Sequence, residues 1–305
     1  MIIDPVLLTV SLVIAATPIL LAAIGELVVE RAGVLNLGVE GMMIIGAITG
    51  FAAAVETGSP VIGFIAAAGG GAALALIFAA LTQGLLSNQV ATGLALTLFG
   101  IGFSALIGQS YSGVRPPPIG GPLFGPLSDL PVIGPVLFGY DWVVYLALLL
   151  VLAVWAFLFR TRAGLILRAV GENAEAAHAL GYPVVRVRTL AITFGGACAG
   201  LGGAYLSLVR VPQWTDGMTA GAGWIALAIV VFASWRPGRA LFGAWLFGGI
   251  SVLQLRLQAA GIAIPAQYLA MTPYLVTIVA LVILSWRGGR GLAPAALGKP
   301  FHAAR

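Results

Sequence analysis

Residues 5–24 read PVLLTVSLVIAATPILLAAI, twenty positions without one charged side chain. They run directly into Gly25-Glu-Leu-Val-Val-Glu-Arg-Ala-Gly-Val-Leu-Asn-Leu-Gly-Val-Glu-Gly41-Met-Met, after which apolar sequence resumes to position 54. A hydrocarbon core about 30 Å thick needs roughly 20 helical residues, so the first stretch is long enough to cross a bilayer. A backbone in lipid must satisfy its own hydrogen bonds, which makes each such run a helix. No basic residue precedes it and no Ala-x-Ala pattern follows directly, so it reads as a retained helix and not as a removable signal.

Working outward, further apolar runs fall at 32–54, 61–82, 89–108, 142–159, 189–209, 223–235, 240–257 and 271–286. The expectation is an all-α, polytopic transmembrane bundle of about nine membrane segments, the seventh of them short. Composition agrees: 60% of the 305 residues are apolar, 8% are charged and the mean hydropathy is +1.07, against a soluble norm of about 25% charged. Twelve of the fifteen basic residues fall on one side if 160–188 is cytoplasmic, leaving Arg115, Arg210 and Arg256 outside. That bias predicts an external N-terminus and a cytoplasmic C-terminus. It also accounts for the +5 net charge as topology, with no nucleic-acid partner. Residues 1–290 then form one transmembrane domain, with a cytoplasmic segment at 160–188 and an external Pro/Gly-rich loop at 109–141; 291–305 is a cytoplasmic tail.

Several chemistries are disfavoured by inventory. His178, His302 and Cys198 do not make a metal-ligand set, and no cofactor is expected. The only lysine, Lys299, lies between Gly298 and Pro300, so the chain has no phosphate loop ending in Gly-Lys-Ser/Thr. Any ATP used is bound by another chain. An intramembrane hydrolase would need a nucleophile and a base, and His178 falls in the cytoplasmic segment.

Three stretches hold more than packing. In 25–43, Glu26 and Glu30 are one helical turn apart, as are Asn36 and Glu40, and Gly33, Gly38 and Gly41 weaken the helix between them. Glu26 and Glu30 read as a cytoplasmic turn and helix start, with Arg31 neutralising Glu30. Asn36 and Glu40, deeper in an apolar run, read as part of a broken helix lining a translocation route, since intramembrane acids face water, a partner or a cavity. In 160–188, Asn173 suits an N-cap, Glu175 a helix start, Gly181 a C′ position and Pro183 a stop. A short helix at about 174–180 is expected, with Ala176, Ala177 and Leu180 as its apolar face and Arg168, Glu172 and Glu175 around it. Composition leaves a plain loop and a docking helix equally open. In 213–228, polar and Gly-rich chain runs into a short apolar segment, the pattern of a discontinuous helix or of an external turn. Asn88, Gln89, Thr92 and Thr97 are further candidates for contact with a polar solute. The glycine runs at 69–71 and 195–203, with Cys198 among them, set small residues at helical spacing for close helix packing.

Together these stretches resemble one family, the permease subunits of ATP-binding-cassette importers of the branched-chain amino acid, ribose and nucleoside group. The pattern Gly-Glu-x4-Arg-x-Gly-Val-x-Asn-x-Gly-x-Glu-Gly-Met is met from Gly25 to Met42 and looks most like the nucleoside-type, basic membrane protein-linked members. Arg168 to Gly181 resembles the family's ATPase-coupling segment, carried here by Arg168, Gly171, Glu172, Asn173, Glu175, Ala176, Ala177 and Gly181. Met218 to Ala228, with Phe232, Trp235, Pro237 and Gly238, matches a third stretch. Two departures stand out: Phe232-Ala-Ser-Trp235 where the family commonly has Phe-Gly, and Thr97 where asparagine is expected. The resemblance implies a non-enzymatic, multi-pass inner-membrane subunit importing nucleosides or a related small polar solute. Its implied partners are an ABC ATPase, a paralogous permease in a heterodimer, an extracytoplasmic substrate-binding protein and membrane lipid. A sugar or branched-chain amino acid permease is the nearest alternative. An ion-coupled secondary transporter with Glu40 or Asp216 as proton site is the rival from another class, and such a carrier has no need of a docking helix.

Overall fold

The structure, a computed structural model, describes residues 5–259 and 293–302 together with isolated positions between 268 and 282. Seven of its helices are long and apolar enough to cross a membrane. These are α1 (Pro5–Arg31), α2 (Val39–Thr57), α3 (Pro60–Ala79), α4 (Gln89–Gly108), α5 (Trp142–Arg160), α8 (Val184–Tyr205) and α10 (Pro237–Ala259). Between α5 and α8 lie two shorter helices, α6 (Arg162–Glu172) and α7 (Ala174–Ala179), and α9 (Ala222–Phe232) precedes α10. Single π-helical turns extend α3 through Ala80–Gly84 and α8 through Leu206–Arg210. The first eight expected segments correspond to the seven long helices and to α9, and the ninth, at 271–286, lies largely outside the described residues.

The centre of the bundle is the crossing of α2, α3 and α8, and glycine sets how closely they approach. A Cβ at Gly46 would overlap Gly200 of α8, one at Gly71 would overlap the Gly196 carbonyl, and one at Gly203 would overlap the Met43 carbonyl. Cys198 is buried beside Gly25, whose absent side chain it replaces. Without a hydrophobic drive between helices in lipid, such backbone-to-backbone contact is what van der Waals packing uses. The apolar stretches of α2 and α8 are each 72% buried, whereas that of α4 is 28% buried. Leu94, Leu98, Phe99 and Leu106 of α4 face outward, as lipid-facing side chains do.

The 109–141 stretch is mostly exposed and irregular, with only single turns of helix at Gln109–Tyr111, Gly125–Asp129 and Gly134–Phe138. It is pinned at its ends: Tyr111 Oη donates to Glu56, and Asp141 both caps α5 and accepts from Tyr205 Oη.

Candidate functional site

α1 does not stop at residue 24. It stays helical through Glu26 and Glu30 to Arg31, and both acids are 1% exposed. The sequence places them in water, but each finds a donor from a distant segment. Asn36 Nδ2 donates to Glu26 Oε2 at 3.1 Å, and Trp235 Nε1 donates to Glu30 Oε2 at 2.6 Å. Arg31 does not pair with Glu30. Its Nε and Nη2 donate to the Trp235 carbonyl at 3.2 and 3.1 Å, so α1 grips the turn between α9 and α10 by side chain and main chain together. Ser234 and Trp235 in that turn have φ of 51° and 55°, left-handed values that cost a non-glycine residue roughly 1–2 kcal/mol.

Residues 32–38, joining α1 to α2, are not helical and are held by short polar contacts. Asn36 Oδ1 accepts from Gly38 N, Gln89 Oε1 accepts from Leu35 N at 2.8 Å, and Thr97 Oγ1 donates to the Leu37 carbonyl at 3.1 Å. Gly41 and Gly100 bring α2 and α4 together here. Of the solute-path candidates, Asn36, Glu40, Gln89 and Thr97 therefore gather around one joint and are each buried. Thr92 meets Ser87 at 2.8 Å, and Asn88 is exposed and caps α4 through Ala91 N.

Glu40 is the centre of this arrangement. Thr219 Oγ1 and Gly221 N donate to Oε1 at 2.6 and 2.9 Å, and Gly223 N donates to Oε2 at 2.7 Å. Its carboxylate lies in the first turn of α2 and at the start of α9, where two sets of unpaired backbone N–H groups favour a negative charge. At 11 residues, α9 is about 16 Å long, roughly half a hydrocarbon core. The turn after it is fastened to Glu30 and Arg31, and its N-terminus ends on Glu40. The Gly-rich stretch at 216–221 is a run of turns leading into α9. The sequence carries no sign that Thr219 and Glu40 are partners, since 179 residues separate them.

On the same side as the C-terminal end of α1, α6 and α7 form a surface element. Asn173 Oδ1 accepts from Ala176 N at 2.9 Å and Gly181 has φ of 86°, the cap and stop expected from the residue types. The apolar face of α7 divides: Ala177 is 3% exposed and turned inward, whereas Leu180 is 77% exposed and Ala176 and Glu175 also face out. Gly171 lies flat on the end of α1, where a Cβ would strike the Arg31 carbonyl. Arg168 lays its guanidinium 5.2 Å from the centre of the Phe159 ring. Glu172 Oε2 accepts from Ala295 N at 3.3 Å, a contact within the chain that nothing in the spacing of 168–181 announces.

Comparison with known proteins places this architecture. A putative glucose ABC transporter permease protein of Haloferax volcanii is 43% identical over 94% of this chain and 95% of its own length. A guanosine ABC transporter permease protein of Bacillus subtilis is 34% identical over 94% and 93%. A nucleoside ABC transporter permease protein of Lactococcus lactis subsp. cremoris is 30% identical over 94% of each. Residues 8–284 match the family described as branched-chain amino acid transport system / permease component. With seven helices among the described residues long and apolar enough to cross a membrane, a buried acidic joint and a capped surface helix, the chain is a multi-pass membrane protein and a non-enzymatic transport subunit, and it belongs to that permease family.

Proposed function

We propose that this chain forms half of the translocation path of an ATP-driven importer for nucleosides, with a partner ATPase docking on α7. The observation that carries the reading is the α6–α7 element: a helix capped by Asn173, exposing Glu175, Ala176 and Leu180, seated through Gly171 on the end of α1. A surface helix rigidly joined to a transmembrane helix suits the passing of ATPase motion into a bundle. Arg168, Gly171, Glu172, Asn173, Ala177 and Gly181 complete that element, Gly171 and Ala177 from its buried side. Asn36, Glu40, Gln89 and Thr97 act at the joint that would move, and Asn88 and Thr92 flank the start of α4 beside it.

The arrangement of the rest follows from this reading. α6 and α7 are cytoplasmic, the N-terminus is external, 109–141 is an external loop and 291–305 is cytoplasmic, with nine segments in a single domain of 1–290. The chain pairs with a paralogous permease and receives solute from an external binding protein. Nucleosides are favoured by the Gly25 to Met42 pattern and by the guanosine and nucleoside permeases among its relatives. A second reading, a sugar, is favoured by the 43% identity to the putative glucose permease. Both solutes present a hydroxylated ring to the path.

The test is reconstitution of the chain with its ATPase, paralogue and binding protein, followed by uptake of labelled guanosine and of labelled glucose. Guanosine uptake that needs ATP and survives an ionophore is expected. Uptake of glucose alone would move the substrate to the second reading. Uptake by the isolated chain, lost on collapse of an ion gradient, would overturn the importer.

A further inference from the structure

Residues 293–302 are separated by more than a hundred positions from the surfaces they touch, yet they are fastened at both ends. On one side they hold the coupling element. Ala296 N donates to the Gly171 carbonyl at 2.9 Å, Ala295 N donates to Glu172 Oε2 at 3.3 Å, and Phe301, 6% exposed, packs with Val170, Ala174, Ala177 and Val184. The His178 ring lies edge-on to Phe301 at 5.3 Å. On the other side they hold the joint between α1 and α2, where Gly298 N donates to the Gly33 carbonyl at 3.2 Å.

One buried cation ties the two grips together. Arg188, 0% exposed, donates from Nε to the Ala32 carbonyl and from Nη1 to the Lys299 carbonyl, at 3.2 and 3.1 Å. It anchors the joint and the tail to the same point on α8. A guanidinium presents a rigid fork of donors, so these carbonyls are held at a fixed spacing. The tail is in contact with α6, α7, α8 and the joint at once. Its donors are mostly main chain; Leu297 packs against the main core and Phe301 closes the gap behind α7.

We infer that residues 293–302 are a transmission strap, which makes α6–α7 and the α1–α2 joint move as one piece when the ATPase moves α7. This rests on the importer reading given above and adds to it a positioning element, with Phe301 and Arg188 as its positioning residues. The strap stays closed through the cycle: its contacts are buried on the coupling side and paired through backbone on the other. Loosening it leaves the ATPase docked and hydrolysing, because Ala176 and Leu180 stand exposed on the outer side of α7, outside the cluster around Phe301, but the stroke no longer reaches Asn36.

The test uses the whole complex in nanodiscs with Phe301→Ala, Phe301→Leu and a chain ending at residue 292. Two quantities are read: solute imported per ATP hydrolysed, and amide exchange of residues 33–37 without ATP. Phe301→Ala is expected to copurify with the ATPase, hydrolyse ATP as the parent does, and import about tenfold less per ATP, within the range that changes along a coupled path produce. Exchange at 33–37 rises in the same variant, and Phe301→Leu, which refills the gap, restores both. The truncated chain shows the larger form of both effects. Unchanged import per ATP with unchanged exchange in Phe301→Ala overturns the strap. Loss of ATPase copurification overturns it too, since the tail would then serve docking. A parent complex that hydrolyses no ATP and imports nothing removes the importer reading itself, and the exchange measurement separates that result from failure of the strap.

Discussion

Two regions of this bundle are equally buried and held by different means. At the crossing of α2, α3 and α8, backbone meets backbone at Gly46, Gly71, Gly200 and Gly203, with little hydrogen bonding between side chains. Around the joint of residues 32–38, Asn36 donates to Glu26, Glu30 and Arg31 bond to Trp235, and Glu40 accepts from Thr219 and the start of α9. A glycine crossing has no second arrangement at similar energy: to slide is to lose every contact or to clash. A hydrogen-bonded joint can exchange one set of donors for another. The difference separates the part of the permease that keeps its shape from the part suited to change it.

The comparison breaks most visibly at the crossing. Gly46→Leu places a branched side chain where Gly200 already is, and is expected to cost more than about 4 kcal/mol. The measurement is recovery of monodisperse protein from membranes, which should be nearly abolished. Normal recovery would mean the crossing is not close-packed. Next in size is Glu40→Ala, which strands three donors at the start of α9 and is expected to destabilise by about 3 kcal/mol. Glu40→Gln keeps one acceptor oxygen and should lie between the two. Thermal unfolding in detergent ranks them, and an alanine variant as stable as the parent would show that the carboxylate does not hold α9.

Trp235→Phe is smaller. It removes one donor and leaves Glu30 buried without its partner, at about 2 kcal/mol, and uptake should fall further than stability because the α9–α10 turn is then held to α1 by Arg31 alone of its two grips. Equal loss of both would place this turn with the rigid part. Smallest is Thr97→Val, worth about 0.6 kcal/mol, the average of an interhelical hydrogen bond in a membrane. Thr97→Asn, which retains a donor toward the Leu37 carbonyl, should be closer to neutral. A large change in solute preference from either would instead bring position 97 into contact with the solute.

These magnitudes also mark what the sequence reveals and what it does not. Segment positions are legible because lipid demands contiguous apolar helix, and α7 is legible because a cap is a local event: Asn173, Gly181 and Pro183 decide it among themselves. Glu26 and Glu30 are misplaced by the same reasoning. A carboxylate at the end of an apolar run reads as the water boundary, and only the arrival of Asn36 and Trp235 makes its burial tolerable. The partners of Glu40 lie 179 to 183 residues away and those of Arg188 lie 156 and 111 away, beyond any periodicity. The docking of 293–302 is hidden for a further reason, that most of its contacts are made by backbone, which every residue has.

The half-length of α9 bears on how the protein is made. A helix of 11 residues is too short to partition into a bilayer by itself, since an exposed N-terminus in hydrocarbon would leave its first N–H groups without acceptors. Synthesis proceeds from the N-terminus, so Glu40 is already in place when residues 213–232 leave the ribosome. The carboxylate is then available to accept from the Gly221 and Gly223 N–H groups at the start of α9. The short helix thus depends on an acceptor that the α1–α2 pair supplies and lipid does not.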